Sequence, residues 1–254
     1  MSGRLGIDDD EVVVALAHLV AQLADGENLL DAGRRIGDEV ERAGERADAA
    51  PGVKEILSVG KLAYEVRERH YDLVVVDAEA TGHIVAQIGA PRVIGELVKV
   101  GMVRDQTRWV SDILEDPGRT GLVIVTTPEE MPVSETLDLI SRLDRESGVA
   151  PSAIVANRVL PALFDRRQSE VVDRLDEVED ELVEVAGPGV RAVLAAAHVT
   201  EARRRVGSRH LERLRDGIQT GLPVLYVPEL FTRATGRRVV SLVAAHLADE
   251  LDVV

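Results

Sequence analysis

Four short runs of aliphatic and β-branched residues, set between long helical stretches, constrain this chain more than any other feature. They are Leu73-Val74-Val75-Val76, Leu122-Val123-Ile124-Val125-Thr126-Thr127, Ala153-Ile154-Val155-Ala156-Asn157 and Pro223-Val224-Leu225-Tyr226-Val227. Each is nearly free of polar residues, as strands buried on both faces are. Helical stretches over 92–115, 132–147, 167–216 and 235–251 separate and follow them, too long for hairpin connections. Strands alternating with helices predict an α/β fold, with a mostly parallel sheet and helices on both faces.

Every run ends in polar or conformationally special residues: Asp77, Thr127-Pro128-Glu129-Glu130, Asn157-Arg158 and Pro228-Glu229. Ligands of such sheets bind beyond the carboxyl ends of the strands. Asp77 is the sharpest of these, because Ala78-Glu79-Ala80-Thr81-Gly82-His83 follows it. Small residues and a glycine let backbone N–H groups approach a phosphate, and a hydroxyl or imidazole can bond to it. The segment therefore reads as a switch-like loop behind a magnesium-orienting carboxylate; the plainer alternative is an Asp that caps the next helix. Asn157 offers a donor and an acceptor suited to an adenine edge, or else simply shapes a turn. No G-x-x-x-x-G-K-[ST] phosphate loop occurs anywhere in the 254 residues. Gly60-Lys61 does not supply one: it lies inside an amphipathic helical pattern, and Leu62 stands where Ser or Thr would hold Mg²⁺.

A chain of this length can bury a substantial core, and residues 1–254 are expected to form one domain. Residues 11–25 and 28–49 read as helices of an N-terminal helical region over 1–50. Residues 53–69 read as an amphipathic helix that feeds the first strand. The stretch 165–218, with Gly187-Pro188-Gly189 as an internal turn, reads as a helical elaboration on the sheet. The absence of cysteine excludes disulfides, thiolate metal sites and cysteine nucleophiles. No apolar run reaches the ~20 residues of a membrane span, and the acidic start Asp8-Asp9-Asp10-Glu11 is unlike a signal peptide, so a cytoplasmic setting is expected. A net charge of −15 argues against general nucleic-acid affinity. The one basic cluster, Arg203-Arg204-Arg205 with Arg209, His210, Arg213 and Arg215, reads as the charged face of a long helix, or as a contact for phosphate or an acidic partner. The histidines stand at no metal-ligand spacing.

Together these pieces resemble the ArsA and tail-anchored-protein-targeting ATPases, the anion-transporting ATPases of the deviant-Walker class, most closely in their actinobacterial branch. The residues carrying the resemblance are Ala50-Pro51-Gly52-Val53-Lys54-Glu55-Ile56-Leu57, Tyr71 to His83, Pro128 to Thr136 and Ile154-Val155-Ala156-Asn157-Arg158. Pro223 to Pro228 is a weaker match. The resemblance implies a P-loop NTPase-like fold whose first strands and phosphate loop are absent from this chain. It implies Asp77 as the Walker B-type residue acting on Mg²⁺ through water, and Thr81, Gly82 and His83 within the switch that senses the γ-phosphate of ATP. Asn157 would contact adenine, and the loop from Pro228 would close over the base. Family members dimerise, and nucleotide state governs how they hold a client or metalloid.

Two departures qualify those roles. Glu79 stands where the family's switch carries Pro, which frees a backbone angle and adds a negative charge near a triphosphate. The family's opening strand, its glycine-rich loop with lysines and its first switch with the general-base Asp have no counterpart here. Cysteine-bound arsenite is also disfavoured. Three expectations follow: an ATPase-family chain missing its N-terminal portion, a naturally loop-less regulatory subunit, or a helical adaptor that keeps the sheet as scaffold. In the first two, ATP and Mg²⁺ are handled only with elements from elsewhere. The partners implied are a homodimer or a heterodimer with a phosphate-loop-bearing family member, and a protein client.

Overall fold

The structure is a computed structural model that describes residues 62–78, 81–97 and 102–251. The helices expected over 11–25 and 28–49, and most of that over 53–69, lie outside those residues. Among the described residues, the chain runs through a helix at 62–68 (α1), then α2 (Thr81–Leu97), α3 (Met102–Leu114), β1 (Leu122–Thr126), α4 (Glu130–Glu146) and β2 (Pro151–Val159). It continues through α5 (Arg166–Val172), a 3-10 turn (Leu175–Val178), α6 (Glu179–Ala186), α7 (Gly189–Gly217), β3 (Val224–Pro228) and α8 (Arg237–Glu250). The fold is α/β, as expected.

The sheet has three parallel strands in the order β1-β2-β3. Because that order advances in one direction, right-handed crossovers must carry both connections over the same face. They do: α4 and α7 share one core cluster with Ile124, Ile154 and Ala156, built around Val133, Leu143, Leu211 and Leu214, which Val85 of α2 joins. The other face, with Ala153, Val155, Leu225 and Val227, is closed by Val243, Leu247 and Leu251 from α8 and its end. The central strand is thus covered on both sides, which is why Ala153 to Ala156 reads as an unbroken apolar run. Fully burying a side chain such as Leu143, Ile154 or Leu214 contributes about 1.5–3 kcal/mol.

One expected strand is not there. Residues 73–78 pair with nothing in the sheet, and Leu73, Val75 and Val76 are 39%, 48% and 53% exposed. Strand propensity describes a fit to neighbours, not a property of an isolated backbone. Among the described residues the edge on that side belongs to β1, and no backbone hydrogen bond joins it to residues 73–78. Val125 of β1 is itself 63% exposed, so that end of the sheet is uncovered among the described residues. The helix expected over 92–115 is also two helices, the first beginning at Thr81 and containing Pro91.

Sequence logic accounts for the other boundaries. Pro132 sits in the first turn of α4, where a missing N–H costs nothing. That helix ends with Gly148 at a φ of 74°, while the Ser147 and Gly148 amides both bond the Leu143 carbonyl. Asp165 and Gln168 cap α5 reciprocally. The unpaired edge of β3 is blunted by Glu250, whose Oε2 accepts from the Tyr226 amide at 3.0 Å.

The helical elaboration runs from α5 to α7, and its Gly187-Pro188-Gly189 turn falls where expected. Its anchor is Glu201, buried on α7. Arg204 reaches both Glu201 oxygens at 2.8 and 2.9 Å, and Arg205 bonds Oε1 at 3.1 Å. Arg205 also reaches Asp173 at 2.9 Å, tying α7 to the end of α5. The hydrogen bond from Arg204 holds the Glu201 carboxyl below the usual carboxylate range, against the opposing effect of burial.

Two predictions follow. A Cβ added at Gly207 of α7 would lie 3.3 Å from the Pro128 Cβ and 3.4 Å from the Pro128 carbonyl oxygen. Gly207→Val is therefore expected to lower stability by about 1–3 kcal/mol through overpacking; a urea midpoint equal to the parent's would mean that α7 is not seated on that loop. For Glu201 the folded-state pKa is depressed, so its stabilisation is complete above the unfolded value and is lost as pH falls through the folded one. Urea midpoints measured from pH 7 down through the carboxylate range should fall more steeply for the parent than for Glu201→Gln.

Candidate functional site

The carboxyl ends of the strands gather most of the candidate residues. Thr126 ends β1 with Thr127 after it, Asn157 and Arg158 lie in the last third of β2, and Pro228 ends β3 with Glu229 after it. β2 does not stop at Asn157. Its register with β3 shifts between Ala156 and Val159, and Val159 then pairs with Pro228. Asn157 and Arg158 are thus the bulged residues, a device that re-aims side chains at the end of a strand. Arg158 has a φ of 58°, the left-handed region, which costs a non-glycine residue about 1–2 kcal/mol.

Three bonds hold that conformation. Asn157 Oδ1 accepts from the Arg158 amide at 2.9 Å. Arg158 Nε donates to Glu229 Oε2 at 2.8 Å. The Glu229 amide donates to the Val159 carbonyl at 2.9 Å. The Glu229 bond, then its charge and that of Glu129, raise the Arg158 pKa. The β2–β3 register sets the Asn157-Arg158 bulge next to the Pro228 end of β3 and brings Arg158 to Glu229, a pair that sequence reasoning did not make. Their 71-residue separation hides the contact; only the β2–β3 register places them side by side.

Asp77 lies outside the three paired strands. It is exposed in the unpaired segment, and no hydrogen bond among the described residues joins it to the strand ends. Thr81, Gly82 and His83 begin α2 instead of forming a loop, so they offer a first-turn backbone; their side chains lie outside the described structure, as does Glu79.

Beside the bulge, Val159, Pro161, Tyr226 and Pro228 form the apolar part of an open cavity of about 330 Å³, rimmed by His246, Asp249 and Glu250. Its apolar wall suits a flat ring, and its carboxylates repel phosphate. The basic cluster on α7 is largely engaged within the fold: Arg204 and Arg205 with Glu201 and Asp173, Arg213 with Ser134 at 3.0 Å, and Arg215 with the Tyr226 hydroxyl at 2.6 Å. That favours the reading as a helix's charged face. Among the described residues, no group of three or more His, Asp or Glu side chains is placed to hold a metal, and no helix is long and apolar enough to cross a membrane.

The family model described as anion-transporting ATPase matches residues 25–106 and 95–186. The chain belongs to the anion-transporting ATPase family. Members of this family use ATP and Mg²⁺. The mycobacterial protein named ATPase BagA, from Mycobacterium tuberculosis, is 34% identical over 119 residues, covering 44% of this chain and 34% of its own length. A putative arsenical pump-driving ATPase of Halobacterium salinarum is 26% identical over 145 residues, covering 52% of this chain and 22% of its own. The ATPase ASNA1 homolog of Cryptosporidium parvum is 25% identical over 243 residues, covering 75% of this chain and 66% of its own. The chain thus spans about a third of the length of the mycobacterial relatives it matches.

Thr126 offers a test of what this edge is kept for. It is 4% exposed, and its hydroxyl makes no hydrogen bond. Thr126→Val removes a desolvated, unsatisfied group, so a gain of about 1–3 kcal/mol is expected. A lower thermal midpoint for the variant would show that the hydroxyl is satisfied within the fold.

Proposed function

We propose that this chain supplies the base-binding end of an ATP site and pairs with a phosphate-loop-bearing member of its family, which supplies the phosphate-binding end. The assembly works in the cytoplasm and couples nucleotide state to the handling of a protein client. The observation that carries this reading is the β2–β3 carboxyl edge, where the Asn157-Arg158 bulge runs into an apolar cavity wall formed by Val159, Pro161, Tyr226 and Pro228, in a chain whose sequence has no phosphate loop.

Charge explains the division of labour. A triphosphate is held by backbone amides, Lys or Arg, and Mg²⁺. The described edge offers Glu129, Glu229, Asp249 and Glu250 against Arg158, which Glu229 already engages. Asp77 fits Mg²⁺ only as one carboxylate acting through water, the mode that this strongly hydrated cation tolerates when phosphates complete its shell. Thr81, Gly82 and His83, at the start of α2, would face the γ-phosphate once Asp77 is docked on a completed sheet.

A second reading, the helical adaptor, draws on one observation. Val185, Val193 and Val199 on α6 and α7 are 89%, 67% and 60% exposed, an apolar surface that a protein client could cover without any nucleotide.

Isothermal titration of Mg²⁺-ATP into the chain, into a phosphate-loop-bearing family member from the same organism, and into their mixture separates these readings. Weak or absent binding by the chain alone is expected, with affinity in the mixture raised by about tenfold, or 1.4 kcal/mol, over the family member alone. A mixture that binds no more tightly than that member sinks the shared-site reading. A complex that forms with no effect on ATP favours the adaptor.

A further inference from the structure

We propose that Arg158 and Glu229 are positioning residues that aim the Asn157 side-chain amide at the base, and so set base recognition without touching the phosphates. This rests on the reading of the β2–β3 edge as the base-binding end. The Arg158 amide is a donor, so the Asn157 atom facing it must be Oδ1, as observed at 2.9 Å. The Asn157 Nδ2 makes no hydrogen bond among the described residues, so its two donors remain for a ring nitrogen acceptor of a purine. That orientation exists only while Arg158 keeps its left-handed backbone and the bulge between Ala156 and Val159 persists.

The Arg158–Glu229 pair is what spans the bulge. It joins the β2 bulge to the first residue beyond β3, while the Glu229 amide bonds Val159 just past the bulge. The result is a closed loop of contacts from Asn157 through Arg158, Glu229 and Val159. The Arg158 side chain is 61% exposed, and ion pairs so exposed add little to global stability. Its effect is therefore local: it holds one conformation of a bulge that would otherwise relax. Neither side chain lines the apolar cavity, which Val159, where the bulge ends, and Pro228 help to form.

The test compares two probes on the same nucleotide-binding assembly: Mg²⁺-ATP and Mg²⁺-tripolyphosphate, which keeps the phosphates and lacks the base. Glu229→Gln is expected to weaken ATP binding about tenfold and leave tripolyphosphate binding unchanged within about twofold, with the urea midpoint near the parent's. The exchanged pair Arg158→Glu with Glu229→Arg should recover most of the ATP affinity. Unchanged ATP affinity in Glu229→Gln overturns the positioning role and leaves the nucleotide reading standing. Equal loss for both probes shows a structural role and also overturns it. If the parent assembly binds tripolyphosphate as tightly as ATP, no base is recognised, and the base-end reading falls together with this one.

Discussion

The burial of β2 between two partners and under two layers of helices is the constraint on which the rest of the structure depends. Ala153, Ile154, Val155 and Ala156 leave no polar side chain to solvate, so the strand is stable only when paired on both edges and covered on both faces. β1 and β3 meet the first demand; α4 with α7 and α8 meet the second. Parallel pairing then fixes the direction of all three strands, and with it the side of the sheet where their polar ends emerge. The candidate site is a consequence of this packing.

The same packing explains where regularity stops. Once past Ala156, β2 leaves the buried layer, and the bulge at Asn157 and Arg158 follows at once. A left-handed Arg158 would be expensive inside the layer, where its ladder bonds would be lost without compensation. At the rim, a side-chain amide, a carboxylate and a backbone carbonyl replace those bonds. Strained residues persist where their surroundings over-determine them, and such places cluster at functional sites.

Much of this was legible in the sequence, for reasons that can be stated residue by residue. The runs at 122–127, 153–157 and 223–227 are strands because each alternates with a helix that covers it. Gly187-Pro188-Gly189 breaks the helical elaboration where glycine and proline must. The run at 73–76 has the same composition and is not a strand, because composition records a demand for neighbours and cannot show whether neighbours exist. Pro228 was readable as a strand end, whereas the sequence put the end of β2 at Asn157, two residues before Val159. The Arg158–Glu229 pair and the Glu201 cluster were not, since both depend on register and on helix packing that charge patterns alone do not encode.

That lesson bears on the family resemblance itself. Family membership follows from an order of motifs along the chain, whereas a nucleotide site is a convergence in space. Asn157 and Pro228 sit on the paired strands and are held by their register. Asp77 ends an apolar run that pairs with no strand among the described residues. A strand docked beside β1 would satisfy the backbone edge, cover Val125 and give the exposed Leu73, Val75 and Val76 something to pack against. If Asp77 serves the proposed phosphate end, completing the sheet beside β1 and completing that end are one physical requirement.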